Sequence, residues 1–308
     1  MPETKKLICP DCGHELEIPI DLEEFSCLYC GARTTVAHAE ARNASANKEY
    51  ETLRAELKEA LPKAVTRYPN HFRKIDKKHY VDTFTDYELE NGETVDKIEV
   101  CTRLRANDIS ACVKELCTDL LDALADHMSA DPRWKKKHKR SELMFEVKVV
   151  LALFLTPLIR KRKVTCAEEF CTELNRLWLE RWKEERWLPG DYDVIVAGFK
   201  RRKLCYITTA TCQFEGKPDH CDELTAFRAF RDNWLTANGD AALIDRYYEL
   251  APSLVTCMDY CDDAERCYTE IRERWLEPCY QALQEHREAD CREIYIDMVQ
   301  TLEQRYLQ

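Results

Sequence analysis

The sequence predicts a mainly α-helical, multi-helix body carrying a small amino-terminal zinc ribbon built on short β-hairpin knuckles. Three observations lead there. The chain has only 7 glycines in 308 residues, too few for many of the positive-φ turns that β-hairpins and phosphate-cradling loops use. Apolar residues recur three or four apart through most of its length, the period of an amphipathic helix. Two C-x2-C pairs stand near the amino terminus, ahead of that periodic region. With 45% hydrophobic residues the chain can bury a real core. The organisation expected is a ribbon over 1–37, a helical domain over 38–190 and a second helical domain over 191–308.

The ribbon comes first. Cys9, Cys12, Cys27 and Cys30 form C-x2-C, fourteen residues, C-x2-C. A C-x2-C turn aims both sulfurs at one point. The glycine after each pair, Gly13 and Gly31, tolerates the left-handed backbone that lets amides hydrogen-bond the thiolates. Four soft ligands in a tetrahedron suit Zn²⁺, and the similar spacing of rubredoxin-like sites leaves iron as the alternative. One metal per chain is expected, in a structural role, because four protein ligands leave no open position for catalysis. In the spacer, Leu16, Ile18 and Ile20 alternate with other residues as a strand would. Residues 1–37 carry seven acids and three bases, a charge of −4, and four thiolates around a divalent ion leave further negative charge. Such a surface is poorly suited to phosphate, so the ribbon is expected to dock protein, its own body or a partner.

The polar, alanine-rich stretch 36–48 reads as the linker. Beyond it Tyr50, Leu53, Leu57 and Leu61 form one helical stripe, which Pro62 is placed to end or kink. "ENGET" at 90–94 reads as a turn. Ile109, Val113, Leu116, Leu120 and Leu124 mark the next helix face, with Cys112 and Cys117 beside it as small core residues. The run "VVLALFLTPLI" at 149–159 is eleven residues long, short of the about 20 that span a bilayer. It is expected to be a buried core helix, and no membrane span is expected. Phe170, Leu174, Leu177 and Trp178 mark another helix, and "LPGDY" at 188–192 breaks the chain.

The formal charge of −11 argues against indiscriminate attraction to nucleic acid or anionic lipid. No G-x-x-x-x-G-K or G-x-G-x-x-G occurs, so the common nucleotide-binding loops are absent. Seventeen cysteines without a secretory signal point to reduced thiols in a cytoplasm. Three basic runs interrupt the acidic background, at 133–140, 160–163 and 200–203. Arg133, Lys135, Lys136, Lys137, Arg160, Lys161, Arg201 and Arg202 are the candidate anion-binding residues, on a shared patch or as separate solvated helix ends.

Residues 205–210, "CYITTA", open the last region. Together with "LTAFRAFRDNWL" at 224–235 and "YYELAP" at 247–252 they resemble the CFI-box family of bacterial carboxy-terminal domains, with Tyr206 where the name-giving motif has phenylalanine. A zinc ribbon, a helical region and this box together also look like a group of Firmicutes proteins. The resemblance covers about 205–260. It implies a helical fold and a bacterial cytoplasmic origin, and it implies no reaction.

The same residues read independently as a hairpin of helices. Cys205 and Cys212 share one face. Thr209 and Ala210 are expected where this segment crosses the helix bearing Phe227 and Phe230. Gly216 and Pro218 form a turn, and Asp219 or Asp222 caps the next helix. Leu224, Phe227, Phe230 or Arg231, and Trp234 are its buried stripe, with Arg228, Arg231 and Asp232 in a charge network beside it. A further helix starts near Asp240 and stops at Pro252. Cys257, Cys261, Ala264, Tyr268, Ile271 and Trp275 then form one packing seam.

Three readings apply to Cys205, Cys212, His220 and Cys221: packed neutral thiols, a second metal site, or a reactive thiolate whose pKa the preceding basic run lowers. The function expected is a non-catalytic cytoplasmic zinc-ribbon scaffold or adaptor that contacts a protein partner. The alternatives are a cysteine-dependent enzyme or redox sensor at Cys205, Cys212 and Cys221, and nucleic-acid binding through the basic runs.

Overall fold

The computed structural model describes residues 3–76, 78–200 and 205–307. At the amino terminus β1 (Thr4–Ile8) pairs antiparallel with β2 (Glu15–Pro19), placing Leu7 opposite Leu16, and β3 (Glu24–Ser26) pairs with β4 (Arg33–Thr35). Each hairpin turn holds one C-x2-C pair. Leu7, Cys9, Leu16, Ile18, Phe25 and Cys27 bury against Val36 and Ala39 as a cluster of their own. Ile20 departs from the expected alternation: it falls beyond β2 and is exposed.

The stretch 36–48 is not a loose linker. Helix α1 (Val36–Thr66) starts at the last ribbon strand, and Thr35 caps it by accepting from the His38 N–H at 3.2 Å. The Lys5 ammonium pairs with Glu40 on that first stretch of helix at 2.7 Å. α1 also runs through Pro62. Leu57, Leu61, Ala64 and Val65 are buried around the proline, and their packing offsets the one helix hydrogen bond it removes.

α2 (Tyr80–Leu104) and α3 (Ile109–Ala130) come next. The turn expected at 90–94 lies in mid-helix. Asn91 spans it by donating to the Tyr87 carbonyl at 2.9 Å and the Tyr68 hydroxyl at 2.8 Å. α4 (Lys137–Val150) passes through one wide π-type turn (Leu151–Leu155) into α5 (Thr156–Lys161). Residues 149–159 are all buried, as expected. Pro157 has no N–H to offer the Leu153 carbonyl four residues back; the Tyr80 hydroxyl donates to it instead, at 2.7 Å. α6 (Ala167–Arg181) completes this half, with α3 packed against both α1 and α6 and α2 against α1.

The second half comprises α7 (Tyr192–Lys200), α8 (Tyr206–Phe214), α9 (Asp222–Ala229) running into a wide turn (Phe230–Leu235), and α10 (Ala241–Cys261). α11 (Ala264–Ile271) continues through another wide turn (Arg272–Leu276) into α12 (Glu277–Gln284), and α13 (Glu288–Tyr306) closes the chain. α10 is the hub, touching α4, α7, α8, α11 and α13. It does not stop at Pro252, because Ala251, Leu254, Cys257 and Met258 are fully buried on either side. The expected seam is buried at Cys257, Cys261, Tyr268, Ile271 and Trp275, but it crosses a helix break at residues 262–263, where Asp263 caps α11. Asp219 and Asp222 do not cap α9 by side chain: Cys221 is its N-cap residue, and Asp219 holds Arg228 at 2.7 Å instead. One buried cluster runs from Tyr50 to Tyr306 and crosses the boundary expected at 190. No helix among the described residues is long and apolar enough to cross a membrane.

Candidate metal centre

The two knuckles are built alike, bond for bond. The Cys9 N–H donates to the His14 carbonyl at 2.9 Å, and the Gly13 N–H returns to the Cys9 carbonyl at 3.0 Å. In the second knuckle the Cys27 N–H donates to the Ala32 carbonyl at 2.8 Å, and the Gly31 N–H to the Cys27 carbonyl at 2.9 Å. Gly13 and Gly31 carry φ of +74° and +75°, a region closed to most side chains. The result brings four sulfurs together. Cys9 Sγ lies 3.8 Å from Cys30 Sγ, Cys12 Sγ lies 3.5 Å from Cys27 Sγ, and all four fall within 4.8 Å of one another.

Those separations test the metal reading. A regular tetrahedron with metal–sulfur bonds of about 2.3 Å has its sulfurs about 3.8 Å apart. The cluster therefore fits a tetrahedral metal, with no position left for a substrate. Cys9 and Cys27 are buried, Cys12 is half-buried and Cys30 exposed. The backbone amide of Cys30, followed by that of Tyr29, holds the Cys27 thiol down to about 6 against burial. The Tyr29 N–H reaches Cys27 Sγ at 3.4 Å, and the His14 ring stacks on Tyr29 at 4.2 Å. Leu28 at the knuckle tip is 91% exposed and Tyr29 64%.

Cys205, Cys212, His220 and Cys221 do not form a second cluster. Among the described residues only the four ribbon cysteines converge as a metal-ligating group. Cys205 opens α8 and Cys212 lies near its other end. Cys205 is buried, with Arg231 Nη1 3.3 Å from its sulfur. Burial nonetheless wins: it pushes the Cys205 thiol up, against the pull of Arg231 and Arg228. Burial also pushes the Cys212 thiol up to about 12, with Glu223 and Cys221 adding to it. His220 is exposed and Cys221 half-buried. All body cysteines except Cys221 are buried. Sequence reasoning missed Glu223, a buried carboxylate gripped by Lys217 at 3.0 Å and by Arg272. In the sequence it looks like an ordinary first-turn acid.

Thr209 and Ala210 line an open cleft together with Pro252, Val255 and Tyr268 of α10 and α11, and α8 also touches α9.

Three of the candidate anion-binding residues are held by acids. Arg133 binds Asp131 at 3.0 Å and Glu146 at 2.7 Å. Arg160 binds Glu168 at 2.8 Å and the carbonyls of Pro189 and Gly190. Lys161 pairs with Glu88 at 2.5 Å. Lys135, Lys136 and Lys137 are exposed. Arg201 and Arg202 lie outside the described residues.

Comparisons with protein-family models, curated proteins and solved structures find no match.

The burial of α8 gives one expected outcome. At pH 7 the thiols of Cys205 and Cys212 should react with a maleimide more slowly than a free cysteine, because the neutral form dominates and access is blocked. Mass spectrometry of the native, briefly labelled protein reads each site. Labelling of Cys205 faster than free cysteine would reverse the assignment and make Arg231 an activator.

Proposed function

We propose that the chain is a non-catalytic zinc-ribbon scaffold or adaptor of a bacterial cytoplasm, and that its ribbon docks a protein partner. The observation that carries this reading is the pairing of a closed four-cysteine cluster with exposed apolar side chains on the ribbon: Leu28, Tyr29, Ile20 and Leu22. A closed tetrathiolate site supplies folding energy rather than chemistry. Zinc fits the role because it adds no redox behaviour. The acidic ribbon and the acid-paired arginines favour protein over nucleic acid as the partner. The carboxy-terminal helices are assigned, on their resemblance, to a CFI-box-like domain that completes the scaffold.

A photo-crosslinking amino acid at position 28 tests the partner. Irradiation in cells should give a discrete protein adduct, and the Cys9→Ser background should abolish it. Adducts with nucleic acid alone, or adducts indifferent to Cys9→Ser, would overturn the docking role.

A further inference from the structure

Two consecutive helix pairs, α7 with α8 and α10 with α11, line an open cleft of about 410 Å³, within the range of small-molecule sites. The α8 wall is kept low by Thr209 and Ala210. Gly198 lines the opposite wall, and a Cβ there would meet nothing within 4 Å. Around this space stand the rings of Tyr206, Phe214, Tyr260 and Tyr268. Phe214 is 47% exposed yet packs its ring 5.4 Å from that of Tyr268, forming an aromatic edge open to solvent.

Asp259 is the one charged side chain among the described residues that line the cleft, beside the polar Thr209, Gln213 and Thr256. Asp259 takes the Tyr268 hydroxyl at 2.6 Å on Oδ1. Among the described residues no cation pairs with its carboxylate, and no side chain donates to its second oxygen. Burial pushes the Asp259 carboxyl up, with the Tyr268 bond opposing. Thr209 is 4% exposed, and its hydroxyl has no hydrogen-bond partner among the described residues. No basic side chain among the described residues lines the space.

We infer that this cleft binds a small organic cation, a primary ammonium carrying an aromatic or short apolar body, with Asp259 accepting the ammonium and the tyrosine rings flanking it. A carboxylate flanked by apolar and aromatic side chains gains from a cationic donor, and aromatic faces within about 6 Å add cation–π attraction. Asp259 itself repels an anionic ligand. A metal ion finds a single carboxylate, too few ligands for a dedicated site. The inference is independent of the ribbon and of its partner.

The test uses the full chain with 2-phenylethylammonium as probe and phenylacetate as its charge-reversed counterpart, read by saturation-transfer NMR and calorimetry. The ammonium should bind saturably at or below about 10 mM, and phenylacetate should not. Asp259→Asn keeps an acceptor for Tyr268 and should weaken the ammonium by about tenfold or more. Ala210→Leu fills the cleft from its small wall and should abolish binding, which keeps the test decisive if the Asn variant folds poorly. Equal binding of the two probes, absence of saturable ammonium binding, or full affinity in Ala210→Leu would overturn the assignment.

Discussion

Cys9→Ser should reduce bound zinc from one per chain to none and unfold residues up to the start of α1, while the helical body keeps its structure. The reason lies in the separation of the two cores. The ribbon cluster holds only Leu7, Cys9, Leu16, Ile18, Phe25 and Cys27 with Val36 and Ala39 of α1. A unit this small cannot offset its own chain entropy, and structural zinc supplies about 10–16 kcal/mol in comparable modules. The larger cluster begins at Tyr50 and shares no buried residue with it. Metal analysis, circular dichroism and limited proteolysis read the outcome together. Helical signal should fall only by the first turns of α1, and cleavage should appear before residue 50. Collapse of most of the helical signal would show the ribbon to be integral to the main core. Two zinc ions per wild-type chain would instead require ligands outside the ribbon. An iron-thiolate absorption band would replace zinc as the metal.

The ribbon was legible because its information is local. Two C-x2-C pairs followed by glycine specify two knuckles almost without regard to the rest of the chain, and the structure closes them as the spacing requires. Most helices were legible for a similar reason, since a stripe such as Ile109, Val113, Leu116, Leu120 and Leu124 needs only its own period. Punctuation was less reliable. Asn91–Gly92 reads as a turn, Pro62 as an end or a kink and Pro252 as a stop, yet each lies inside a helix. Local propensity at those positions amounts to about 1 kcal/mol for glycine and about 3 for proline, and flanking buried side chains outweigh it. Asp259 was illegible for another reason. It stands between Cys257 and Cys261 in an apolar seam, and its significance depends on Tyr268 across a helix break and on α8 some fifty residues earlier. Sites assembled by several helices leave no compact signature in the sequence.

Two glycines, 92 and 190, show how closely that tertiary context decides. Gly190→Ala should be among the most damaging single changes in the chain, whereas Gly92→Ala should be tolerated or stabilising. The wide turn at Leu151–Leu155 displaces the helical hydrogen-bond register, and the Ala152 carbonyl accepts the Gly190 N–H at 2.9 Å. The same N–H lies 3.2 Å from the Thr156 hydroxyl. The connection before α7 thus enters the buried helix backbone to backbone. A Cβ at 190 would lie 2.3 Å from the Ala152 oxygen, 2.9 Å from Ile195 Cδ1 and 3.2 Å from Pro157 Cγ. The nearest obstacle is backbone in a close-packed core and cannot swing aside. Overpacking of this kind costs about 1–3 kcal/mol, and retreat of the segment adds the loss of its hydrogen bonds. At Gly92 the nearest atom to an added Cβ is Arg162 Nη1 at 3.5 Å, an ordinary contact. There alanine gains helix propensity of up to about 1 kcal/mol. Urea midpoints of the two full-length variants should therefore move apart, Gly190→Ala well below wild type and Gly92→Ala at or above it. A Gly190→Ala midpoint equal to wild type would mean that the connection does not enter the core, and with it would go the anchoring of α7, the helix that forms one wall of the cleft.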